Sequence, residues 1–224
     1  MGGHGTTIGG VLVDSGKFPW AEHADRFPML NEPDVSYHGV VYTEALGPAA
    51  YIGRARVVPL RNMGSAISPF NSFLILQGIE TLPVRMDRHC ENAVAVANYL
   101  NDHPKVEWVR YAGLPDSPDY PLVQKYMDGG KASSILSFGI RSGSGGGKQA
   151  GAAFIDALQL AVRLVNIGDA KTLACHPATT THRQLSPEEL ASAGVSEDLV
   201  RLSIGIEHID DIIADLDQAL AAAG

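Results

Sequence analysis

Residues 105–224 alternate between short apolar runs and amphipathic stretches, a pattern that predicts strands separated by helices. The apolar runs predict strands at 105–111, 133–140, 172–175 and 199–206. Apolar residues at helical spacing predict helices at 148–162, from Pro187 to about Gly194, and at 208–223, and a glycine-serine loop is predicted at 142–147. Strands with helices on one side predict an α+β unit.

A long helical segment is predicted just before this unit. Ser68 followed by Pro69 predicts a helix start, and Pro83 is expected to break or kink the helix. The helical pattern resumes at 84–100 and stops at 101–104. One face of this second part is predicted to carry Met86, Cys90, Ala93, Val94, Ala97 and Leu100, with Arg85, Asp87, Arg88, Glu91 and Asn92 elsewhere.

The first 66 residues have weaker periodicity. A glycine-dense turn at 2–10 runs into a short buried-strand pattern at 11–16, and no Lys-Ser or Lys-Thr follows it, so it is a poor phosphate-binding loop. Residues 17–66 read as irregular, apart from a short helix followed by an extended piece within 49–58. We therefore predict three parts, at 1–66, 67–103 and 104–224.

Composition excludes several classes of function. The 17 basic residues are outnumbered by 25 acidic ones and form no stripe with aromatic residues, so nucleic acid is not an expected partner. No apolar run approaches the roughly 20 residues that span a bilayer, and no membrane partner is expected. Cys90 and Cys175 are the only cysteines, which fits a reducing cytoplasm, and the eight histidines predict no metal site.

Residues 164–182 hold the densest group of candidate functional residues. Asn166, His176, the threonines at 179–181 and His182 are many hydrogen-bonding groups for one turn, although such a segment, taken alone, is more often a capped loop. Arg201 stands alone in an apolar run, where a charge requires a partner. An acidic residue of the same chain could pair with it, or a small-molecule carboxylate could be bound by its guanidinium.

Five motifs together resemble those of the pyridoxal-phosphate (PLP) enzymes of cysteine and methionine metabolism, which have the α/β fold-type I architecture. The resemblance covers essentially the whole chain. It is carried by Gly2-Gly3-His4-Gly5, by residues 68–74 with 77–82 and Arg85-Met86, by residues 166–173, by residues 176–182 and by residues 200–207. It implies the end of a large-domain sheet in residues 1–66 and an α+β small domain in residues 104–224.

Within this family, the segment between His4 and Arg61 is similar to the O-acetyl-L-homoserine sulfhydrylase branch. That resemblance implies a γ-replacement in methionine biosynthesis that uses an amino-acid substrate and sulfide, with pyridoxal 5'-phosphate as electron sink. It also implies that Arg201 and Asn166 bind the substrate α-carboxylate and that Thr181 lines the same pocket. His176 and His182 are interpreted as structural residues. A cystathionine γ-synthase or γ-lyase of the same family is the alternative reaction.

One departure from the family pattern decides what we expect of the chain alone. In the family, the lysine that forms the Schiff base lies two positions before the place of Met1. We therefore expect a chain that lacks the N-terminal half, has no catalytic or cofactor-binding residue of its own and shows no turnover alone. It is expected to be a fragment, a sequence with a mis-assigned start inside a longer reading frame, or one half of a split enzyme. Complete, it is expected to be a homo-oligomer, a dimer or tetramer. The alternative is a non-catalytic partner of a complete subunit.

Overall fold

The computed structural model describes residues 1–141 and 146–223, so most of the predicted glycine-serine loop lies outside the described residues. The contacts divide the chain into two compact units, Thr7–Leu74 and the combination of Met1–Thr6 with Ile75–Gly224. We call them the helical unit and the sheet unit. The division at 1–66, 67–103 and 104–224 stays a prediction.

The helical unit consists of short helices around a small aromatic core. Its helices are α1 (Pro28–Asn31), α2 (Tyr42–Leu46), α3 (Ala50–Ala55) and α4 (Arg61–Met63), with 3-10 turns at Trp20–His23, Val35–Tyr37 and Gly47–Ala49 and a π-helical turn at Arg56–Leu60. Leu30, Tyr42 and Ala50 are buried in the core, and the Tyr42 hydroxyl donates to Asp34 Oδ2 at 2.8 Å.

Two predictions for this unit are wrong. The strand predicted at residues 11–16 does not form, because no strand of the described residues pairs with it, and Val13 is exposed. The helix predicted after Ala49 exists as α3, but the piece beyond it is the π-helical turn rather than an extended segment.

Two helices follow in the order that the proline pattern predicts, α5 (Pro69–Glu80) and α6 (Leu82–Asn101). The Ser68 hydroxyl accepts the Asn71 backbone N–H at 3.1 Å, as expected of a helix start. Pro83 takes the second position of α6, where its missing N–H leaves no helical bond unmade. The break predicted at Pro83 is confirmed.

The predicted faces of α6 are only partly correct. Cys90, Ala93, Ala97 and Leu100 are buried as predicted, whereas Met86 and Val94 are more than one-third exposed. Arg85, His89 and Asn92 are instead buried, and each binds polar groups of the chain, although the Arg85 Nε atom is buried without a hydrogen-bond partner. The three residues recur at i, i+4 and i+7, so they form one buried polar stripe along the helix. We call it the α6 polar stripe.

The sheet unit is built on a five-stranded mixed sheet. Its strands are β1 (Val106–Arg110), β2 (Ile135–Ile140), β3 (Val162–Arg163), β4 (Leu173–Cys175) and β5 (Leu199–Ser203), in the order β1-β2-β5-β4-β3. All neighbouring pairs are antiparallel except β3 with β4. The helices of this part are α7 (Tyr120–Tyr126), α8 (Gly147–Ala157), α9 (Pro187–Ser192) and α10 (Ile209–Ala222). The α+β prediction is confirmed, although β3 and α7 were not predicted.

One face of the sheet carries the main hydrophobic core. Alternate residues of β2 and β5, among them Phe138, Val200 and Leu202, are fully buried beneath α6, α8 and α10. The Phe138 and Phe154 rings meet edge to face, with centroids 5.5 Å apart. Each such side chain stabilises the fold by about 1.5–3 kcal/mol through removal of apolar surface from water. The opposite face carries Ser137, Arg201 and Ser203 together with the apolar side chains of Leu173 and Leu199.

Side chains of the sheet unit fix two of the helix ends. The helix α8 ends at Ala157, earlier than the predicted end at 162, because the buried Asp215 carboxylate accepts the backbone N–H groups of residues 159–161 at 2.8–3.0 Å. Ser186 and Glu189 form a capping box at the start of α9, as the sequence predicts.

Candidate functional site

Arg201 lies in the middle of β5, opposite Ser137 of β2 and Cys175 of β4. Its neighbours Val200 and Leu202 are fully buried in the core. Because successive side chains of a strand point to opposite faces, Arg201 points to the face of the sheet away from that core, and it is partly exposed there. The strand β5 therefore presents a single cation on that face of the sheet.

The Arg201 guanidinium has no acidic partner among residues 1–141 and 146–223, since none of the ion pairs there includes it. Its Nη2 atom donates to the backbone carbonyl of Asn166 at 3.1 Å. A guanidinium has five N–H donors, so others remain for a ligand. An arginine alone in an apolar strand could pair with an acidic residue of the same chain or bind a small-molecule carboxylate. The observed arrangement supports the second explanation.

Cys175 lies beside Arg201 in the sheet but does not behave as a reactive thiol. Burial raises the pKa of the Cys175 thiol, and the positive charge of Arg201 opposes that rise only in part. Burial also raises the pKa of the Cys90 thiol, which donates to the Ala132 carbonyl. Both cysteines are free and buried, so neither is a candidate nucleophile.

The loop at residues 166–171 carries the carbonyl that holds Arg201. The Asn166 side-chain oxygen accepts the Ile167 backbone N–H at 2.9 Å, so this side chain is turned onto its own loop. Gly168 has a φ of 72°, a conformation that glycine adopts readily, and its N–H donates to the Ser203 hydroxyl at 3.2 Å. The loop is thus fastened to β5 at both Arg201 and Ser203.

Thr181 lies in the turns that follow the Pro177–Thr179 3-10 turn, which itself packs against β5. Its hydroxyl is exposed and makes a hydrogen bond of 2.8 Å with His182 Nδ1. Among the described contacts, no hydrogen bond joins Thr181 to Arg201 or Asn166. A hydrogen bond therefore joins two of the three residues predicted to bind the carboxylate, and the binding roles of all three stay predictions.

His176 holds this turn from within the fold, in agreement with the structural part predicted for it. The imidazole is fully buried, and its Nε2 atom lies 2.8 Å from the Glu197 carbonyl. A carbonyl can only accept, so Nε2 carries the proton and Nδ1 accepts from the Thr179 hydroxyl at 2.9 Å. Burial lowers the pKa of His176, which favours the neutral ring.

A buried network that the sequence analysis missed fixes the segment after β5. The Glu207 carboxylate accepts the Thr172 backbone N–H at 2.6 Å and the Thr172 hydroxyl at 2.9 Å. The same hydroxyl accepts the Gly205 N–H at 2.9 Å. This network ties the start of β4 to the segment beyond β5, so it fixes the two strands on which the candidate site is built.

The α6 polar stripe supports the same segment from the other side. His89 Nδ1 lies 2.6 Å from the Ile204 carbonyl, and the Asn92 amide donates to the Gly205 and Glu207 carbonyls at 3.0 Å each. The spacing of His89 and Asn92 on one helical face was the available sequence signal. It was missed because polar residues on a helix usually face solvent.

Neither a cluster of metal ligands nor a helix able to span a membrane is present in the described part of the chain. There, no group of three or more His, Cys, Asp or Glu side chains could hold a metal ion. None of the described helices has both the length and the apolar character needed to cross a bilayer.

The profile of the family described as Cys/Met metabolism PLP-dependent enzyme matches residues 1–221. A homocysteine synthase from Schizosaccharomyces pombe is 53% identical over 223 residues, which are 100% of this chain and 51% of that protein. O-acetyl-L-homoserine sulfhydrylase 1 from Thermus thermophilus is 49% identical over 221 residues, with 99% and 51% covered. This chain therefore belongs to the family of PLP-dependent enzymes of cysteine and methionine metabolism.

The fold agrees with that membership. A crystal structure assigned as an O-acetylhomoserine (thiol)-lyase from Campylobacter jejuni, which contains a pyridoxyl-lysine monophosphate, superposes with a TM-score of 0.77 at 42% identity. The match covers 88% of this chain and 45% of that one. The chain spans about half the length of the curated relatives that it matches. The predicted fold-type I class is confirmed.

Proposed function

We propose that this chain provides the substrate-carboxylate site of a PLP-dependent O-acetyl-L-homoserine sulfhydrylase. The proposed reaction replaces the γ-acetoxy group of O-acetyl-L-homoserine with sulfide and gives L-homocysteine and acetate. The observation that carries the proposal is the Arg201 guanidinium, which no described acid neutralises and which the Asn166 carbonyl holds in place. Relatives named for this activity, from a fungus and a bacterium, support the choice of reaction.

The proposed part of Arg201 is to bind and orient. A guanidinium can form two parallel hydrogen bonds with a carboxylate, which fixes both the position and the plane of the substrate. The Asn166 carbonyl occupies one donor and so restricts the direction in which the remaining donors point. Thr181 is proposed to line the same pocket through its exposed hydroxyl.

The residues described here do not fit the covalent attachment of pyridoxal phosphate at this site. Lys171 is the last residue of the 166–171 loop, and its ammonium pairs with Asp169 at 3.5 Å. Lys131 pairs with Asp87, and Lys105 donates to the last carbonyls of α10. No described hydrogen bond or ion pair joins a lysine to Arg201, Asn166 or Thr181. In the proposed enzyme, a segment corresponding to the other half of the relatives supplies the lysine and the cofactor.

An exposed apolar surface supports the proposal that further protein covers this chain. Phe70, Phe73 and Leu76 of α5 are each more than half exposed, although soluble proteins rarely expose such contiguous apolar groups. We propose that the missing segment and a second subunit cover this region and that the complete enzyme is a dimer or tetramer. The two free, buried cysteines fit the proposed cytoplasmic location.

A chimeric enzyme tests the proposed activity. Residues 1–224 would replace the matching C-terminal half of the Thermus thermophilus sulfhydrylase, to which they are 49% identical. Formation of L-homocysteine from O-acetyl-L-homoserine and sulfide is the expected result. The Thermus protein is the positive control, and the chimera with Arg201→Met is the negative control for the carboxylate site.

The choice of nucleophile separates the family reactions in the same assay. Faster reaction with cysteine than with sulfide would indicate a cystathionine γ-synthase, and release of a keto acid without any thiol would indicate a γ-lyase. Either result would contradict the proposed sulfhydrylase activity. A chimera that binds the cofactor yet gives none of these products would contradict an enzymatic function for residues 1–224.

A non-catalytic partner of a complete subunit is the second candidate, favoured by the absence of a described lysine at the site. The unmodified chain with added pyridoxal phosphate distinguishes the two. An absorbance band near roughly 420 nm that borohydride removes would indicate a lysine Schiff base in this chain. Without such a band, two further mixtures separate the candidates. Sulfhydrylase activity that appears only when an N-terminal half is added to this chain supports the enzymatic function. A change in the activity of a complete subunit when this chain is added, without activity in the first mixture, supports the non-catalytic partner.

A further inference from the structure

Arg85, the first residue of the α6 polar stripe, is a buried cation that binds backbone carbonyls rather than an acid. It is 6% exposed, and no ion pair in residues 1–141 and 146–223 includes it. Its Nη1 atom donates to the Gly78 carbonyl at 3.0 Å and to the Thr81 hydroxyl at 3.2 Å. Its Nη2 atom donates to the Met1 carbonyl at 2.6 Å. Burial of a charge is costly, and here three hydrogen bonds from Nη1 and Nη2 offset that cost while Nε has no partner.

The segment that Arg85 binds is Met1–Thr6, which we call the N-terminal glycine turn. Gly3 has a φ of 77°, and a side chain there would place Cβ 2.8 Å from the Arg85 guanidinium carbon. At Gly78 of α5, a Cβ would lie 2.3 Å from the Gly2 carbonyl oxygen. Glycine at positions 3 and 78 therefore allows the turn to lie directly against α5 and the guanidinium.

The N-terminal glycine turn binds the 166–171 loop. The Gly3 carbonyl accepts the Ala170 N–H at 2.7 Å, and the Ala170 carbonyl accepts the Ile206 N–H at 2.9 Å. Four residues earlier in the same loop, the Asn166 carbonyl accepts from Arg201. The loop is thus fixed at one end by the glycine turn and at the other by the candidate carboxylate-binding residue.

We propose that Arg85 is a positioning residue for the carboxylate site. It fixes the N-terminal glycine turn, whose Gly3 carbonyl holds Ala170, and the loop then places the Asn166 carbonyl against the Arg201 guanidinium. Arg85 itself does not touch the substrate. The last step, binding of a carboxylate by Arg201, rests on the proposed function. The earlier steps, from Arg85 through the glycine turn to the 166–171 loop, rest only on the hydrogen bonds given above.

Amide hydrogen exchange in the full chain tests the geometric part. The Arg85→Met variant removes the guanidinium and keeps a long apolar side chain. Exchange at Ala170 N–H is expected to rise about tenfold, as for the loss of one hydrogen bond. Exchange at Ile204 N–H, which donates to the Ser134 carbonyl within the sheet unit, is expected to stay unchanged. The Arg85→Lys variant, which retains the charge, is expected to recover part of the protection.

A pair of glycine variants tests the contact between the N-terminal glycine turn and Arg85 by changing the turn instead of the arginine. Gly3→Ala introduces a Cβ against the guanidinium and is expected to release Ala170. Gly2→Ala is its matched control, because a Cβ at Gly2 has no atom within 4 Å and the position does not need a positive φ. This pair decides the question even if Arg85→Met fails to fold. Unchanged exchange at Ala170 in Gly3→Ala would overturn the proposal.

Titration with O-acetyl-L-homoserine, followed by NMR of the same chains, tests the link to the site. Arg85→Met and Gly3→Ala are expected to weaken binding about tenfold, while Arg88→Met, an exposed arginine one turn away on α6, is expected to bind like the unmodified chain. Release of Ala170 without any change in affinity would overturn the positioning role. Absence of binding by the unmodified chain would instead count against the proposed function, and the exchange experiment would still decide whether Arg85 fixes the loop.

Discussion

The Arg201 guanidinium on β5 donates to the backbone carbonyl of Asn166, 3.1 Å away. The two residues are 35 positions apart in sequence. The pairing of β4 with β5 brings the 166–171 loop, which precedes β4, close to Arg201 on β5. The carbonyl partly satisfies the cation without neutralising it. The pair therefore leaves a positive charge in a fixed orientation, which is what recognition of a carboxylate requires.

Replacement of Arg201 is predicted to weaken binding of the substrate carboxylate. In the chimeric enzyme, Arg201→Met is expected to raise the KM for O-acetyl-L-homoserine about 100-fold, because a charged hydrogen-bonded pair contributes about 1.5–3 kcal/mol. Arg201→Lys keeps the charge but loses the fork that permits two parallel bonds, so a rise of about tenfold is expected.

Arg183→Met is the control for Arg201, since Arg183 is an exposed arginine outside the strand. Its KM is expected to stay within about twofold of the unmodified enzyme, as is usual for an exposed substitution. Equal effects of the two methionine variants would indicate that total charge, and not the site on β5, governs substrate binding.

The sequence allowed the sheet of this protein to be predicted better than its polar networks. The strands β1, β2, β4 and β5 were predictable because their apolar runs are local patterns bounded by turn residues. Arg201 could be singled out as a candidate because a charge within such a run is itself a local anomaly, and its role in binding stays a prediction. Its contact with the Asn166 backbone carbonyl has no local signal, and only the family resemblance placed the two residues together.

Arg85 and Asn92 show why the rest could not be predicted. On α6 they read as part of a solvated polar face, yet both are buried. Among their partners are backbone carbonyls, of Met1 for Arg85 and of Gly205 for Asn92, which are 84 and 113 positions away in sequence. A carbonyl is present at every residue, so the sequence does not indicate which one a buried side chain will reach.

His176 is predicted to make the fold less stable in mild acid. Burial lowers the pKa of His176 in the folded state below its ordinary value of 6.5. Below about pH 6.5 the unfolded chain therefore binds a proton that the folded chain does not, and stability falls by up to about 1.4 kcal/mol per pH unit until the folded pKa is reached. Above that range this contribution to stability is fully present.

Urea unfolding between pH 7.5 and 5.0 measures this effect, with Trp108 fluorescence as the probe in a Trp20→Phe background. His176→Gln can keep a donor for the Glu197 carbonyl and an acceptor for Thr179. It is expected to reduce the slope of the free energy of unfolding against pH, because up to one proton fewer is taken up on unfolding. His4→Gln, at an exposed position, is the control for loss of a histidine. A pH dependence identical in His176→Gln and the unmodified chain would refute the assignment.

Asp215 is predicted to be necessary for the chain path between α8 and β3. Its buried carboxylate accepts the backbone N–H groups of residues 159–161, so Asp215→Ala leaves three donors without their partner. A loss of about 2–4 kcal/mol in the free energy of unfolding is expected. Asp215→Asn is expected to lose nearly as much, because one of its two terminal atoms becomes a donor facing these N–H groups.

Asp211→Ala is the matched control for Asp215, since Asp211 lies on the same helix but is exposed. Its effect on the free energy of unfolding is expected to stay within about 0.5 kcal/mol. If Asp215→Asn proved as stable as the unmodified chain, the carboxylate would not be the group that ends α8 at Ala157.

The hydroxyl of Thr172 is predicted to stabilise the segment that follows β5. Thr172→Val keeps the volume but removes the acceptor for the Gly205 N–H and the donor to Glu207, both buried or partly buried. A loss of about 2–3 kcal/mol in the free energy of unfolding is expected, together with faster amide exchange at Gly205. Thr172→Ser retains the hydroxyl, and it is expected to preserve protection at Gly205 while losing only the packing of one methyl group, about 1 kcal/mol. Equal exchange at Gly205 in the valine and serine variants would show that the hydroxyl does not hold this segment, and that the Glu207 bond to the Thr172 backbone N–H is sufficient.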